Sequence, residues 1–281
     1  MSNALTLTNV TKSYKDFKLD NVTFNLPEGS IMGFIGENGA GKTTTINLIL
    51  DLIKRDSGEI SVLGAGTGEL LKEKEHIGVV VDECCFPEEL SAKHINVIMK
   101  KIFKTWDEAK FRDYVKRFDL PEKKVVREYS KGMKMKLSFA AALSHDSRLL
   151  ILDEATSGLD PIVRDEILEL LMEFTTDKTH SVLMSSHIIS DIEKICDVIT
   201  FIHKGKIVFT SGKDELLENY RMIRCTGDEL KAIGSADLVG VQTNKFGTEA
   251  LVRNVPNLPG QVEKATIEDI MLFHVKESES R

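Results

Sequence analysis

The run Gly36-Glu37-Asn38-Gly39-Ala40-Gly41-Lys42-Thr43 carries the most specific chemistry in the chain. It fits the phosphate-loop pattern of glycine, four residues, then glycine-lysine-threonine. Glycines admit backbone conformations closed to other residues, so successive N–H groups can turn inward as an anion nest. Lys42 brings a point charge to the β- and γ-phosphates of a nucleotide, and Thr43 offers a hydroxyl to Mg²⁺. With Thr44, residues Gly36 to Thr43 form the expected nucleotide cradle. The alternative is a glycine-rich turn ahead of an ordinary helix.

The flanking residues decide between the two. Ile31-Met32-Gly33-Phe34-Ile35 reads as a buried strand entering the loop. Beyond it, Ile46, Ile49, Leu50 and Ile53 recur at helical spacing on one face. A loop between a strand end and a helix N-terminus gains the positive end of the helix dipole, which favours bound phosphate.

A second acidic centre follows. Leu149-Leu150-Ile151-Leu152 runs directly into Asp153-Glu154. A buried strand would deliver Asp153 beside the phosphate loop, where it organises the Mg²⁺ shell. Glu154 can then polarise the water that attacks the γ-phosphate. Acidic residues often end strands, so this string has weight only because it follows a full phosphate loop.

The elements that must position these groups alternate along the chain. Strand patterns occupy the first thirty residues: Leu5 and Leu7 alternate with polar partners, and Phe17 to Leu19 and Val22 to Phe24 follow. Residues from about 89 to 145 read as helical and charged. Strand Leu149 to Leu152, helix Asp165 to Phe174 and strand Ser181 to Ser185 come next, then a hairpin from Val198 to Phe209 turning at Lys204-Gly205-Lys206. The predicted fold is α/β: a P-loop NTPase core with a parallel sheet, an N-terminal antiparallel β subdomain, a helical insertion and a small C-terminal α+β appendage. Residues 1–217 form the expected main domain, with the insertion at about 85–145, and residues 218–281 an accessory region. In that region, 222–253 read as short strands and Ile267 to Val275 as a helix.

Composition narrows the setting. The chain has 281 residues, 42% hydrophobic, enough for a proper core. A net charge of −7 disfavours a general nucleic-acid-coating surface. Cys84, Cys85, Cys196 and Cys225 lack metal-site spacing and fit a reduced compartment. No signal peptide pattern is present, and no apolar run approaches the ~20 residues of a membrane span.

Further motifs bring in a family. Tyr129-Ser130-Lys131-Gly132-Met133 opens a helix between the two centres, Ala155-Thr156-Ser157-Gly158-Leu159-Asp160 follows the second, and Ser185-Ser186-His187 ends a strand. A phosphate loop, S-x-G at a helix start, an Asp-Glu strand end, S-x-L-D and a strand-terminal histidine, in this order, resemble the ATP-binding cassette family from roughly Leu5 to Leu217. The resemblance implies that Ser130 and Gly132 form the signature that faces ATP held by an opposite subunit. It implies that Asp160 joins the two sites, that His187 contacts the γ-phosphate, and that Tyr14 stacks on adenine. For Tyr14 a plain strand aromatic is the alternative. Catalytic roles thus fall to Lys42, Glu154 and His187, with ATP and Mg²⁺ bound.

Two positions depart from the family. The usual L-S-G-G-Q reads here Tyr129-Ser130-Lys131-Gly132-Met133, keeping the serine and the second glycine. Asp82, in Ile77-Gly78-Val79-Val80-Val81-Asp82-Glu83, stands where the family carries glutamine. A carboxylate can ligate Mg²⁺ but cannot donate a hydrogen bond as an amide can; Asp82 therefore joins Thr43 and Asp153 as an expected metal ligand, against a solvated acidic turn as the alternative.

The pattern resembles ATPase subunits of two-component bacterial exporters. The implied partners are an integral membrane permease and a second nucleotide-binding subunit, as homodimer or heterodimer, with no nucleic acid. The implied location is cytoplasmic, peripheral on the inner face of the cell membrane. The competing readings are a cassette ATPase acting on nucleic acid or ribosomes and a regulator that binds ATP without turnover. A single cassette without a long coiled-coil arm weighs against the first, and Asp153, Glu154 and His187 against the second.

Overall fold

The structure is a computed structural model and describes residues 2–66, 73–234, 237–244, 247–256 and 258–280. Parts of the stretch expected as short strands, residues 235, 236, 245 and 246, lie outside the described residues. The chain divides into two compact units, Met1–Ile207 and Val208–Arg281, ahead of the boundary expected at 217/218.

The first unit begins with β1 (Asn3–Ser13), β2 (Lys18–Pro27), β3 (Ile31–Ile35), α1 (Lys42–Ile49), β4 (Ser57–Val62), β5 (Ala65–Gly66) and β6 (Ile77–Val81). It continues with α2 (Ala92–Ile102), α3 (Glu108–Arg117), α4 (Lys131–Ala142), β7 (Leu149–Asp153), α5 (Pro161–Phe174), β8 (Ser181–Ser186), α6 (Ile189–Ile195) and β9 (Val198–His203). β10 (Lys206–Gly212) follows β9 after the Lys204-Gly205 turn.

An antiparallel sheet of order β2-β1-β4-β5 forms the N-terminal subdomain. Its alternation is that of strands with one buried face: Leu5, Leu7, Leu19, Val22, Phe24 and Leu26 are buried. The second sheet has the order β10-β9-β3-β8-β7-β6. Pairings from β9 through β6 are parallel. Every residue of β3, β7 and β8 is buried, as expected of a parallel sheet covered on both faces.

Register then aligns the strand ends. Ile35 pairs with Ser186, Asp153 with Ser185, and Val81 with Asp153. The segments that follow β3, β6, β7 and β8 therefore leave the sheet at one edge. These are the phosphate loop, the Asp82 loop, Glu154 and His187. Ligands of open α/β sheets bind beyond the carboxyl ends of the strands.

One helix is shorter than its sequence pattern. α1 ends at Ile49, and Ile53, expected on its apolar face, lies beyond it. Asp51 takes a left-handed φ of 55°. Its N–H donates to Leu48 O at 3.2 Å, and that of Leu52 donates to Asn47 O at 2.9 Å. This is a Schellman termination, which uses carbonyls the helix would leave open.

The insertion comprises α2, α3 and α4. Ser91 and Asp107 cap the first two helices. Trp106 Nε1 donates to Asn96 Oδ1 at 2.7 Å in its interior, beside buried Phe111, Val115 and Phe118.

The second unit holds α7 (Lys213–Asn219), β11 (Tyr220–Cys225), α8 (Gly227–Lys231), β12 (Leu238–Asn244), β13 (Gly247–Arg253), β14 (Gln261–Lys264) and α9 (Ile267–Ser280). Its sheet has the order β12-β13-β11-β14. Ile223, Ala250 and Val252 form its core. Among the described residues, no helix is long and apolar enough to cross a membrane.

Candidate nucleotide site

The phosphate loop is shaped by close approach. A Cβ at Gly36 would stand 2.4 Å from Ile202 O, so only glycine fits there. Gly41 caps α1 at φ +114°, where a Cβ would also meet Leu19 Cδ1 at 2.8 Å. Because the cap is a glycine, no side chain claims the amides of the first turn; they remain as donors for an anion. Gly205 N donates to Ala40 O at 3.0 Å, tying the loop to the turn after β9. Glu37, Asn38, Gly39 and Thr43 are exposed and Thr44 is half-buried.

Lys42 is buried along its length, yet its ammonium is held at the mouth of the loop. Nζ donates to Gly36 O at 2.8 Å and to Glu37 O at 3.3 Å. It also forms an ion pair with Glu154 Oε1 at 3.2 Å. These contacts bring the two sequence-predicted centres into one site.

On the far side, Glu154 Oε2 lies 2.6 Å from His187 Nδ1. Glu154 has a left-handed φ of 53°, rare for a residue with a side chain and most often retained where function needs it. Asp153 ends β7 nearly buried. The Ser185 hydroxyl donates to Asp153 Oδ1 at 2.6 Å and accepts from the Glu154 N–H at 3.1 Å. Ser185 thus sets both carboxylate residues at once. The sequence motifs give Ser185 no role of its own, although a serine closing an apolar strand just before His187 is a usable signal.

The remaining predicted residues occupy separate positions around this centre. Ser130 caps α4, accepting from Met133 N at 3.2 Å. Gly132 faces Val163, whose methyls would stand 3.4 Å from an added Cβ. Asp160 caps α5, accepting from the N–H groups of Ile162 and Val163, each at 3.1 Å. Tyr14 is 49% exposed, with Lys12 Nζ 5.7 Å from its ring centroid.

Asp82 stands at the end of β6 but is engaged elsewhere: Lys131 Nζ donates to its Oδ1 at 2.8 Å. Lys131 also stands beside Gly158, where an added Cβ would come within 3.2 Å of Nζ. One cation therefore lies among three of the loops singled out in the sequence. Among the described residues, no cluster of three or more His, Cys, Asp or Glu side chains makes a ready metal cage. Mg²⁺ does not need one: it is held by one or two protein oxygens plus phosphate and water. The Thr43 hydroxyl and the Asp153 carboxylate suit that requirement.

The chain is similar to known proteins of one family. The family model described as ABC transporter matches residues 19–157. An uncharacterised ABC transporter ATP-binding protein of Bacillus subtilis (strain 168) is 32% identical over 285 residues, spanning 98% of this chain and 92% of the relative. The bacitracin transport ATP-binding protein BcrA of Bacillus licheniformis is 37% identical over 225 residues, 79% of this chain and 74% of the relative. A solved ATP-binding subunit of an ABC transporter superposes with a TM-score of 0.69 at 26% identity, covering 76% of this chain and 91% of that one.

Proposed function

Because the chain belongs to the ABC transporter family, as an ATP-binding subunit with ATPase activity, we propose that it closes with a second nucleotide-binding subunit around Mg-ATP and drives a separate membrane permease. The observation that carries this reading is Glu154, held between Lys42 at 3.2 Å and His187 at 2.6 Å at the mouth of the sheet.

The loop amides and the first turn of α1 hold the phosphates, and Lys42 leaves the carbonyls of Gly36 and Glu37 for the β- and γ-phosphates. Lys42 is then no longer the sole partner of Glu154 Oε1. Glu154 takes the proton of the attacking water as its oxygen bonds to the γ-phosphorus, the bond to the β-phosphate oxygen breaks, and ADP and phosphate remain. His187, bonded to Glu154 through Nδ1, orients that carboxylate and offers its other nitrogen to the γ-phosphate. Thr43 and Asp153 would hold Mg²⁺, which would supply charge neutralisation to the phosphates. Asp82 would join them against the competing charge of Lys131, which occupies its Oδ1.

Ser130 and Gly132 serve the neighbouring subunit's ATP, with Asp160 joining the two sites and Tyr14 stacking on adenine. Residues 1–217 act as the cassette, with 85–145 as its helical insertion and 218–281 as an accessory region. The exporter assignment is supported by the bacitracin transport relative. A peripheral position on the inner face of the cell membrane follows from the permease partner.

The test is co-expression with the membrane proteins of the same host, solubilisation in mild detergent and purification on a tag carried by this chain. A membrane-spanning protein in stoichiometric yield that raises ATPase turnover supports the reading. Salt-sensitive RNA in its place supports the nucleic-acid alternative.

A further inference from the structure

Glu154 and His187 join two segments: the loop that follows β7 and the segment that leads from β8 into α6. Deeper in the protein, the same two segments meet again. Thr156, two residues beyond Glu154, is 1% exposed, and Asp191, on α6, is 2% exposed. Asp191 Oδ1 lies 3.5 Å from Arg164 Nε. Its second oxygen, Oδ2, has no hydrogen-bond partner, and neither has Thr156 Oγ1. Burial pushes the Asp191 carboxyl above its ordinary pKa, and the Thr156 hydroxyl lies close enough to offset part of that rise.

Buried polar atoms without partners are uncommon because each forfeits its hydration. These two are complementary, one able to donate and the other to accept, and they belong to the two segments that carry the catalytic pair. A small approach of α6 to the loop after Glu154 would satisfy both together.

We propose that Thr156 and Asp191 form a buried latch, in which the Thr156 hydroxyl donates to Asp191 Oδ2 when ATP closes the site, fixing Glu154 and His187 in their reactive arrangement. Both are positioning residues. Arg164 holds Oδ1 from α5, so that Oδ2 is the oxygen left for Thr156. The latch rests on the ATPase reading above and assigns it two residues outside the nucleotide-contacting motifs. Because it is completed only in the reactive arrangement, its loss falls on turnover rather than on half-saturation.

The experiment is steady-state Mg-ATPase of the full chain, with kcat and the half-saturating ATP concentration measured for Thr156→Val, Thr156→Ser, Asp191→Leu and the Thr156→Val/Asp191→Leu pair. Valine is isosteric with threonine and lacks only the donor. Thr156→Val is expected to lower kcat about five- to tenfold, the range of one hydrogen bond, with half-saturation within about twofold of wild type. Thr156→Ser restores the donor and should recover most of the rate. In the double variant the two losses should not multiply, since one bond is removed once. Wild-type turnover in the same assay reports on the ATPase reading by itself. The latch is overturned if Thr156→Val turns over at the wild-type rate, if serine is as slow as valine, if ATP affinity falls with kcat, or if the double variant shows the product of the single losses.

Discussion

Lys131 Nζ and Asp82 Oδ1 stand 2.8 Å apart, joining the start of α4 to the loop after β6. Both side chains are about half exposed, at 49% and 47%, so the pair adds only about 0–1 kcal/mol to stability. Its interest is positional. It sets a cation on one oxygen of the carboxylate proposed as a metal ligand.

Lys131→Ala should release Asp82 and lower the Mg²⁺ concentration needed for half-maximal ATPase, while shifting stability by less than about 1 kcal/mol. Asp82→Ala should raise that concentration, and Glu83→Ala should leave it unchanged. ATPase titrated against Mg²⁺ decides. If all three variants follow the wild-type curve, the acidic pair is solvated surface.

Lys42 and Ser130 should fail differently. Lys42 is bonded within its own phosphate loop, and Lys42→Ala should abolish nucleotide binding. Ser130 caps α4 and serves the neighbour's site in the proposed dimer. Ser130→Arg should bind ATP nearly normally and stop hydrolysis. Equilibrium binding of a fluorescent ATP analogue, with turnover measured in parallel, separates the two; equal loss of affinity in both would contradict a shared site.

A pH effect on stability is expected from His145. Its ring stacks on Phe103 at a centroid distance of 4.0 Å, and Nδ1 donates to Glu75 O at 2.8 Å. Burial holds its pKa below the ordinary histidine value, outweighing the nearby Glu75 contacts. A base with a depressed folded pKa binds its proton more readily when unfolded. Its contribution is therefore complete above the ordinary value of about 6.5 and is lost as pH falls below it. Wild-type melting temperature should decline from pH 7 to pH 5.5. His145→Phe keeps the stack but cannot titrate; it should be less stable by about 1 kcal/mol for the lost hydrogen bond, with a flatter decline.

Gly36 to Thr43, Asp153-Glu154 and His187 were legible in the sequence because phosphate and water chemistry demands particular side chains at particular spacings along single strand-to-helix connections. Their assembly follows from one parallel sheet whose ends are in register. The Asp82–Lys131 contact was not legible, because it joins residues 49 apart through the docking of the insertion. Nor was the end of α1, where the apolar period runs on to Ile53 but Asp51 turns left-handed. Ser185 was hidden for another reason: its type suits a strand end, and only the pairing of β7 with β8 brings it to Asp153. In the second unit, α8 forms within residues 222–253, whose pattern reads as short strands with glycine-containing turns. Its Thr226–Glu229 capping box was the available signal.

The central claim is that Glu154 activates the attacking water while Lys42 and His187 hold it in place. Steady-state Mg-ATPase of Glu154→Gln beside wild type, with nucleotide binding and molecular mass recorded on the same samples, tests it most directly. Glutamine keeps the shape and removes the base. Turnover should fall by about 10²–10⁴-fold, with ATP affinity preserved and a dimer of doubled mass accumulating in Mg-ATP. Wild-type turnover in Glu154→Gln would contradict the account.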